Sequence, residues 1–343
     1  MSVAHMQAWT LTAHGAPERV LRIQQHARPV PGPGQVRIKC EGFGLNYADV
    51  MAVRGLYREA PPLPSILGYE VVGVVDELGA DVPGTLLGER VAALTRFGGF
   101  AEFAVTDHRA LVVIPADMPL GVAAAMTTQG CTAWYASRVL CPLWEGERVL
   151  IHAAAGGVGQ WLVQLALRSG CEVFAIAGGS RKVDHLRSLG VRHVIDRYDQ
   201  DPHDVLRELL GSHRLDVSFN AVGGGSFPAD MRLIGSGGRM VLYGGSQRAA
   251  SGPFGTLRFV WSMGLVIPIF LMMRSRSILG INMLRIAEHR PDIIAQCMGA
   301  IGRLYEAGGL HVHVHDTFDI DRLPEALNML ASGGSMGKIV VRW

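Results

Sequence analysis

The chain has 343 residues, 49% of them hydrophobic and 18% charged, with a formal net charge of +2. That length favours two domains, the hydrophobic share excludes a disordered polyelectrolyte, and so small a net charge excludes a general field for nucleic acid. Five scattered cysteines without a C-x-x-C pair (Cys40, Cys131, Cys141, Cys171 and Cys297) suggest neither a disulfide framework nor a structural zinc site.

The opening stretch "MSVAHMQAWTLTAHG" carries no basic n-region or apolar h-region, so a reducing cytoplasm is the expected setting. The first third is rich in glycine and proline. Its short runs "QVRIKCEGFGL", "EVVGVVDELG", "ERVAAL" and "FAEFAVTD" read as strands separated by turns such as "PGPG" and "DVPG". That pattern predicts a small barrel-like β domain.

From about Gly121 the rhythm changes. "VAAAMTTQGCTAWYASRVL" has helical spacing, and strands such as "ERVLIHAA", "EVFAIA", "HVID", "DVSFNAVG" and "RMVLYGG" then alternate with helical segments. Such alternation implies right-handed βαβ units and a parallel sheet. The strand ending at Ala154 runs into Ala154-x-Gly156-x-x-Gly159 and then a helix. Glycines there let backbone approach a pyrophosphate on the helix N-terminus, although Ala154 replaces the first glycine of the usual dinucleotide fingerprint. A tight turn with no ligand is the alternative.

About 20 residues further on, an NAD site carries an acid for the ribose 2′-hydroxyl. Here the sequence reads Gly178-Gly179-Ser180-Arg181-Lys182. A hydroxyl and two cations suit a 2′-phosphate, so the expected cofactor is NADP(H), with Tyr198 as a further donor. A solvated helix start is the competing account of Arg181 and Lys182, but cations there oppose the helix dipole. Later strand ends "FNAVGGG" and "LYGGS" place Val222 and Gly244 among small residues where backbone would pass the nicotinamide half.

Phe259–Met273 is apolar apart from Ser262, flanked by Arg258, Arg274 and Arg276, and interrupted by Pro268. It is too short to cross a bilayer. A buried helix, a dimer contact, a pocket wall and a peripheral membrane contact all fit. The run "SILGINML" (277–284) reads as an edge strand that could pair with its copy, giving a homodimer. In "HVHVH", His311, His313 and His315 would share one face of a strand, either ligating a metal or simply solvated, and no metal is assigned. A helix "DIIAQCMGAIGRLYEAGG", a helix "DRLPEALNMLASG" and a last strand "GKIVVRW" complete the first domain.

Three features share one resemblance: Asn46-x-x-Asp49, Arg54 with Gly55 and Tyr57, and the Gly68-x-Glu70 turn. With "AAAGGVG" they resemble the medium-chain dehydrogenase/reductase superfamily in its zinc-free quinone oxidoreductase branch, over essentially the whole chain. Within it, "GLNYADVMAVRGLY" and "PPLP" look most like the vesicle amine transport protein homologues. The implied architecture is a doubly wound parallel α/β Rossmann sheet (127–284) inserted into a GroES-like β-barrel domain (1–126 plus 285–343). Zinc members carry a Cys near the Asn46 position and a His where this chain has Tyr69. Without zinc, simple alcohol oxidation is disfavoured, whereas an enone or quinone can be reduced if hydrogen bonds hold the developing oxyanion.

The resemblance implies that Asn46, Tyr57 and Tyr69 line the catalytic pocket, with Tyr57 as the leading donor and Asp49 positioning backbone or Arg54. Each tyrosine has the alternative of being a packed aromatic. The family's cofactor contacts carry over to Asn46, Thr132, Gly157, Val158, Gly179, Ser180, Lys182, Tyr198, Tyr243, Ser246, Asn282 and Lys338. Asn220 departs from an acid common before the "VGG" turn, and Asn282 from an aromatic. The expected activity is NADPH-dependent reduction of a small quinone or enone. Two rivals stay open: an NADP(H)-binding regulatory or peripheral membrane protein with little turnover acting through 254–276, and a natural-product reductase acting on a conjugated intermediate.

Overall fold

The computed structural model describes residues 4–250 and 255–343. It divides into two compact units, Met1–Cys131 with Met283–Trp343, and Thr132–Asn282.

The first unit is the β-rich one. A seven-stranded sheet takes Val314–Asp319, Lys338–Arg342, Gln35–Leu45, Glu70–Leu78, Arg90–Leu94 and Leu111–Val113 in that spatial order, with Phe103–Asp107 also pairing on Gln35–Leu45. A smaller sheet joins Leu21–Ala27, His5–Leu11 and Ser65–Ile66. Inward-facing Val36, Ile38, Phe43, Leu45, Val71 and Val75 are buried and form one cluster with Phe100 and Phe318. Gln35–Leu45 shifts register against Glu70–Leu78 between Cys40 and Gly42. Such a bulge bends a strand and increases local twist. A Cβ on Gly42 would lie 2.9 Å from Leu120 Cδ2, so close packing requires glycine there.

The second unit is a six-stranded parallel sheet. Its spatial order is His193–Asp196, Glu172–Ala177, Arg148–Ile151, Leu215–Asn220, Ile234–Leu242 and Ser277–Gly280. Counted within the unit this is 3-2-1-4-5-6, the doubly wound dinucleotide-binding order. Short continuous apolar runs explain it: Val149, Leu150, Ile151, Val217 and Phe219 are fully buried, as strands covered on both faces must be. The order reverses between Arg148–Ile151 and Leu215–Asn220. Ligands of open α/β sheets bind at the carboxyl ends of strands beside such a switch point.

Two sequence expectations need correction. The last strand of this unit stops at Gly280, and Met283–His289 is already helical, so "SILGINML" is only half strand and Asn282 lies outside it. The strand near the histidines begins at Val314, so His311 and His313 precede it and only His315 belongs to it. The apolar stretch forms two short helices, Gly255–Met263 and Pro268–Met273, while residues 251–254, with the first residue of the 254–276 segment, lie outside the described residues. Pro268 occupies the first turn of the second helix, where its missing N–H costs nothing.

Candidate functional site

In the second unit the glycine turn follows Arg148–Ile151 and leads into the helix Gly157–Arg168. Gly156 is the N-cap in extended conformation, with no side-chain cap. The first-turn N–H groups therefore depend on water or a ligand. A Cβ on Gly159 would lie 2.7 Å from Ala154 Cα and overlap the Ala153 carbonyl. Only glycine permits so close a helix–strand approach. Ala153 takes the positive φ of 48°, so the sharp turn falls one residue before the alanine that replaced the first glycine. This cradle fits a pyrophosphate.

At the end of Glu172–Ala177, Gly179 (φ 91°) caps the helix Ser180–Ser188. Its N–H is 3.0 Å from both carboxylate oxygens of Asp196, the last residue of the neighbouring strand. Asp196 also accepts from the Tyr198 N–H at 3.0 Å. This acid is thus spent on backbone. Ser180 and Arg181 are exposed, and Lys182 is half-buried. Burial lowers the Lys182 pKa, and the Arg197 charge adds to the effect. Arg197 Nη2 is 3.2 Å from the Tyr198 hydroxyl, and its guanidinium lies 5.0 Å from that ring centroid. A Cβ on Gly178 would come within 2.8 Å of Arg197 Nε and 2.9 Å of the Tyr198 ring. Arg197, absent from the sequence expectations, joins Lys182 as a second cation facing this strand end. A cavity of about 300 Å³ beside Ser180 is different in character, because Asp184, Asp196 and Asp199 line it against a single cation, Arg187. Its carboxylates disfavour an anion.

The loops after Leu215–Asn220 and Ile234–Leu242 meet. Ser246 N–H donates to the Ala221 carbonyl at 3.2 Å, and a Cβ on Gly244 would lie 2.6 Å from that oxygen. Asn220 Oδ1 accepts from the N–H groups of Val222 and Gly223, both at 2.9 Å. Its Nδ2 donates to Asp230 at 2.8 Å. The amide explains the departure from an acid: one end must accept while the other donates to a carboxylate. Tyr243 is half-buried, and burial pushes its hydroxyl pKa up.

Asp230 is fully buried and accepts from His152 Nε2 (2.9 Å), His203 Nε2 (2.7 Å) and Ser218 (2.7 Å) besides Asn220. Burial alone would raise its pKa. The His152 charge and the hydrogen bonds from His152, His203 and Ser218 outweigh that and hold it well below the ordinary aspartate range. His152, His203 and Asp230 place ligand atoms within 4.8 Å of one another, but their lone pairs and protons already face each other. Sequence spacing gave no sign of this cluster, since its members come from three separate elements.

In the first unit, Asn46 precedes the helix Tyr47–Val53, and Asp49 Oδ2 accepts the Asn46 backbone N–H at 2.8 Å. Asp49 therefore positions backbone. It is fully buried, and burial raises its pKa well above the ordinary value. Lys338 and Glu70, both fully buried, form an ion pair. The Glu70 carboxylate also meets the Thr127 hydroxyl at 2.6 Å and the Thr128 N–H at 2.9 Å. Thr127 sits in a π-helical segment, Met126–Gly130, a distortion common at functional sites. Lys338 Nζ reaches Asn46 Oδ1 at 3.2 Å. Among the described residues, Asn46 Nδ2 and the Tyr69 hydroxyl are both buried without a hydrogen-bond partner. Tyr69 packs edge-on to Tyr57 (5.9 Å between centroids) and against Phe97 (5.1 Å). Burial pushes the Tyr57 hydroxyl up to about 12 and that of Tyr69 further. Both stay protonated donors at neutral pH.

The alcohol dehydrogenase GroES-like domain family matches residues 32–116, and the zinc-binding dehydrogenase family matches residues 157–298. The human synaptic vesicle membrane protein VAT-1 homolog is 29% identical over 342 residues, covering 98% of this chain and 86% of that protein. Pseudomonas syringae quinone oxidoreductase superposes with a TM-score of 0.86 at 26% identity, covering 98% of this chain and 100% of that one. The chain belongs to the medium-chain dehydrogenase/reductase superfamily, in its zinc-free branch. It is therefore built on an oxidoreductase framework.

A mycobacterial structure complexed with NADPH (27% identity, TM-score 0.85, 98% of this chain and 100% of that one) and the CurK enoyl reductase (26%, 0.83, 98% and 99%) share this fold. The chain also matches a mycocerosic acid synthase-like polyketide synthase of Mycobacterium tuberculosis at 26% identity. That match covers 92% of this chain but spans only 14% of the synthase. Within the superfamily framework, Thr132 and Asn282 are the first and last residues of the second unit, the former buried and the latter exposed. The apolar helices and the turn between them are open to solvent: Leu257, Trp261, Leu265, Met272 and Met273 are each more than two-thirds exposed. Among the described residues no helix is long and apolar enough to cross a membrane.

Proposed function

We propose that this chain is an NADPH-dependent, zinc-independent reductase of quinones or α,β-unsaturated carbonyls. The observation that carries the reading is chemical. Where zinc relatives would place metal ligands, this chain has an asparagine amide and a tyrosine hydroxyl, both buried donors without a partner among the described residues. Leaving such a group unpaired costs about 1–3 kcal/mol. The expense is offset if a ligand oxygen completes the bonds.

In this reading the turn at Gly156, Gly157, Val158 and Gly159 takes the pyrophosphate. Ser180, Arg181, Lys182, Arg197 and Tyr198 take the 2′-phosphate. Val222, Tyr243, Gly244 and Ser246 border the nicotinamide half, with Thr132 and Asn282 as further contacts, while the fully buried Lys338 reaches the ligand only through Asn46. When bound, the nicotinamide supplies a hydride. The protein's part is to hold the acceptor flat against Tyr57, Tyr69 and Phe97 and to donate hydrogen bonds to the oxygen that gains charge. Because Tyr57 and Tyr69 resist ionisation, they act as donors, and the proton that completes the product comes from solvent. The quinone oxidoreductase, enoyl reductase and NADPH-complexed relatives support this reading.

Similarity to polyketide synthase segments favours a second reading, in which the acceptor is a conjugated carbonyl intermediate of a biosynthetic assembly. The exposed apolar helices favour a third, a cofactor-binding protein with little turnover that contacts a membrane surface. NADPH oxidation against a panel of quinones, simple enones and enoyl thioesters separates them. Turnover of quinones or simple enones supports the first, selective turnover of enoyl thioesters the second, and NADPH binding without turnover the third.

A further inference from the structure

The two ends of the Asn46 side chain are treated differently. Lys338 Nζ lies 3.2 Å from Oδ1. An ammonium can only donate, so this contact assigns the oxygen to the lysine and sends the amide NH2 the other way. That NH2 is buried and has no partner among the described residues. Lys338 is itself fixed by its ion pair with Glu70, and Glu70 by the Thr127 hydroxyl and the Thr128 N–H. Gly44 makes room for the pair, because a Cβ there would overlap both the Glu70 carboxylate and the Lys338 side chain. The Asn46 backbone is tied separately by Asp49. Thr127, Glu70, Lys338 and Asn46 thus form a chain of contacts that ends on an amide NH2 with no partner among the described residues.

We infer that Lys338, anchored by Glu70, is a positioning residue that locks the Asn46 amide so that Nδ2 donates to an oxygen of the bound ligand. The inference rests on the reductase reading above. It adds that a buried charge pair serves the orientation of a neutral amide. The ligand oxygen belongs either to the acceptor carbonyl as it becomes an enolate or phenolate, or to the cofactor's carboxamide or ribose.

The test is a mutant cycle on the full chain. Its members are Asn46→Ala, the charge-balanced pair Lys338→Met with Glu70→Gln, and the combination, with Asn46→Asp as a near-isosteric variant that replaces the free donor by an acceptor. Three quantities are read: the Kd of NADPH alone, the Kd of 4-nitrophenolate with NADP+ present, and kcat and KM for 1,4-benzoquinone. Circular dichroism checks the fold. Loss of one preorganised donor to an oxyanion costs roughly 100-fold in rate. Asn46→Ala and Asn46→Asp should therefore lower kcat about that much, and the Lys338/Glu70 pair at least 10-fold. The pair should add less than about 3-fold in the Asn46→Ala background, since it acts through Asn46. Weakened 4-nitrophenolate with unchanged NADPH places the oxygen on the acceptor, and weakened NADPH places it on the cofactor. Either supports the inference. Fully multiplicative losses, a folded Lys338/Glu70 variant with wild-type values, or Asn46 variants that shift neither Kd overturn it. If wild-type protein binds NADPH yet reduces no acceptor, the proposed function fails alone, and the two binding cycles still decide the role of Lys338.

Discussion

Asn220 and Asp230 show how much one side chain can carry. Replacing Asn220 by Asp would set a second carboxylate beside the buried Asp230 and remove the donor at 2.8 Å. Breaking a buried hydrogen-bonded charge in this way costs about 3 kcal/mol or more. Urea denaturation should show that loss for Asn220→Asp and a much smaller one for Asn220→Ser. The Asp230 pKa is depressed on folding, so its stabilisation is present in full above the unfolded aspartate value of about 4. It drains away as pH falls toward the folded value. Stability measured from pH 5 to pH 3 should therefore fall less steeply in Asp230→Asn than in the wild type. At the strand end, Lys182→Ala and Arg197→Ala should each weaken NADPH about 10-fold while leaving NADH within about 2-fold, as expected for charge-assisted bonds to a phosphate. Equal losses for both cofactors in a titration would remove these residues from the 2′-phosphate site.

At the level of elements, Gly159 is the position that joins strand to helix. Gly159→Ala forces a Cβ against Ala154 Cα and the Ala153 carbonyl. Overpacking of this kind costs about 1–3 kcal/mol, and a lower thermal midpoint with weaker NADPH binding should report it. The strands of the parallel sheet were legible because apolar runs such as "VLI" and "VFAIA" are bounded by glycine and polar turns, and burial on both faces leaves few alternatives. The histidine run was misread because alternation alone does not form a strand. The ladder with Lys338–Arg342 begins only at Val314. "SILGINML" failed for a related reason, since Asn282 and Met283 leave the sheet for a helix. The place of Ser180 and Lys182 at the end of Glu172–Ala177 is readable from their distance past the glycine turn, and that of Arg197 from the same rule applied to the next strand, while their role at a 2′-phosphate is a proposal. The Glu70–Lys338 pair joins residues 268 positions apart (338 minus 70), and only the folded sheet brings them together.

For the whole molecule, the strand Ser277–Gly280 ends its sheet with one side unpaired among the described residues, and the neighbouring helices Gly255–Met263 and Pro268–Met273 expose a run of large apolar side chains. Edges and patches of this kind are usually covered. A homodimer of twice the 37.0 kDa chain mass is the proposed state. Light scattering should return that mass, and Trp261→Ser with Leu265→Ser should shift it toward the monomer. The account as a whole is tested most directly by comparing kcat/KM for NADPH and NADH with 1,4-benzoquinone as acceptor, in the presence and absence of a strong zinc chelator. A preference for NADPH of about 10-fold or more, unchanged by chelation, is the predicted result. Preference for NADH, or loss of turnover on chelation that zinc restores, would contradict it.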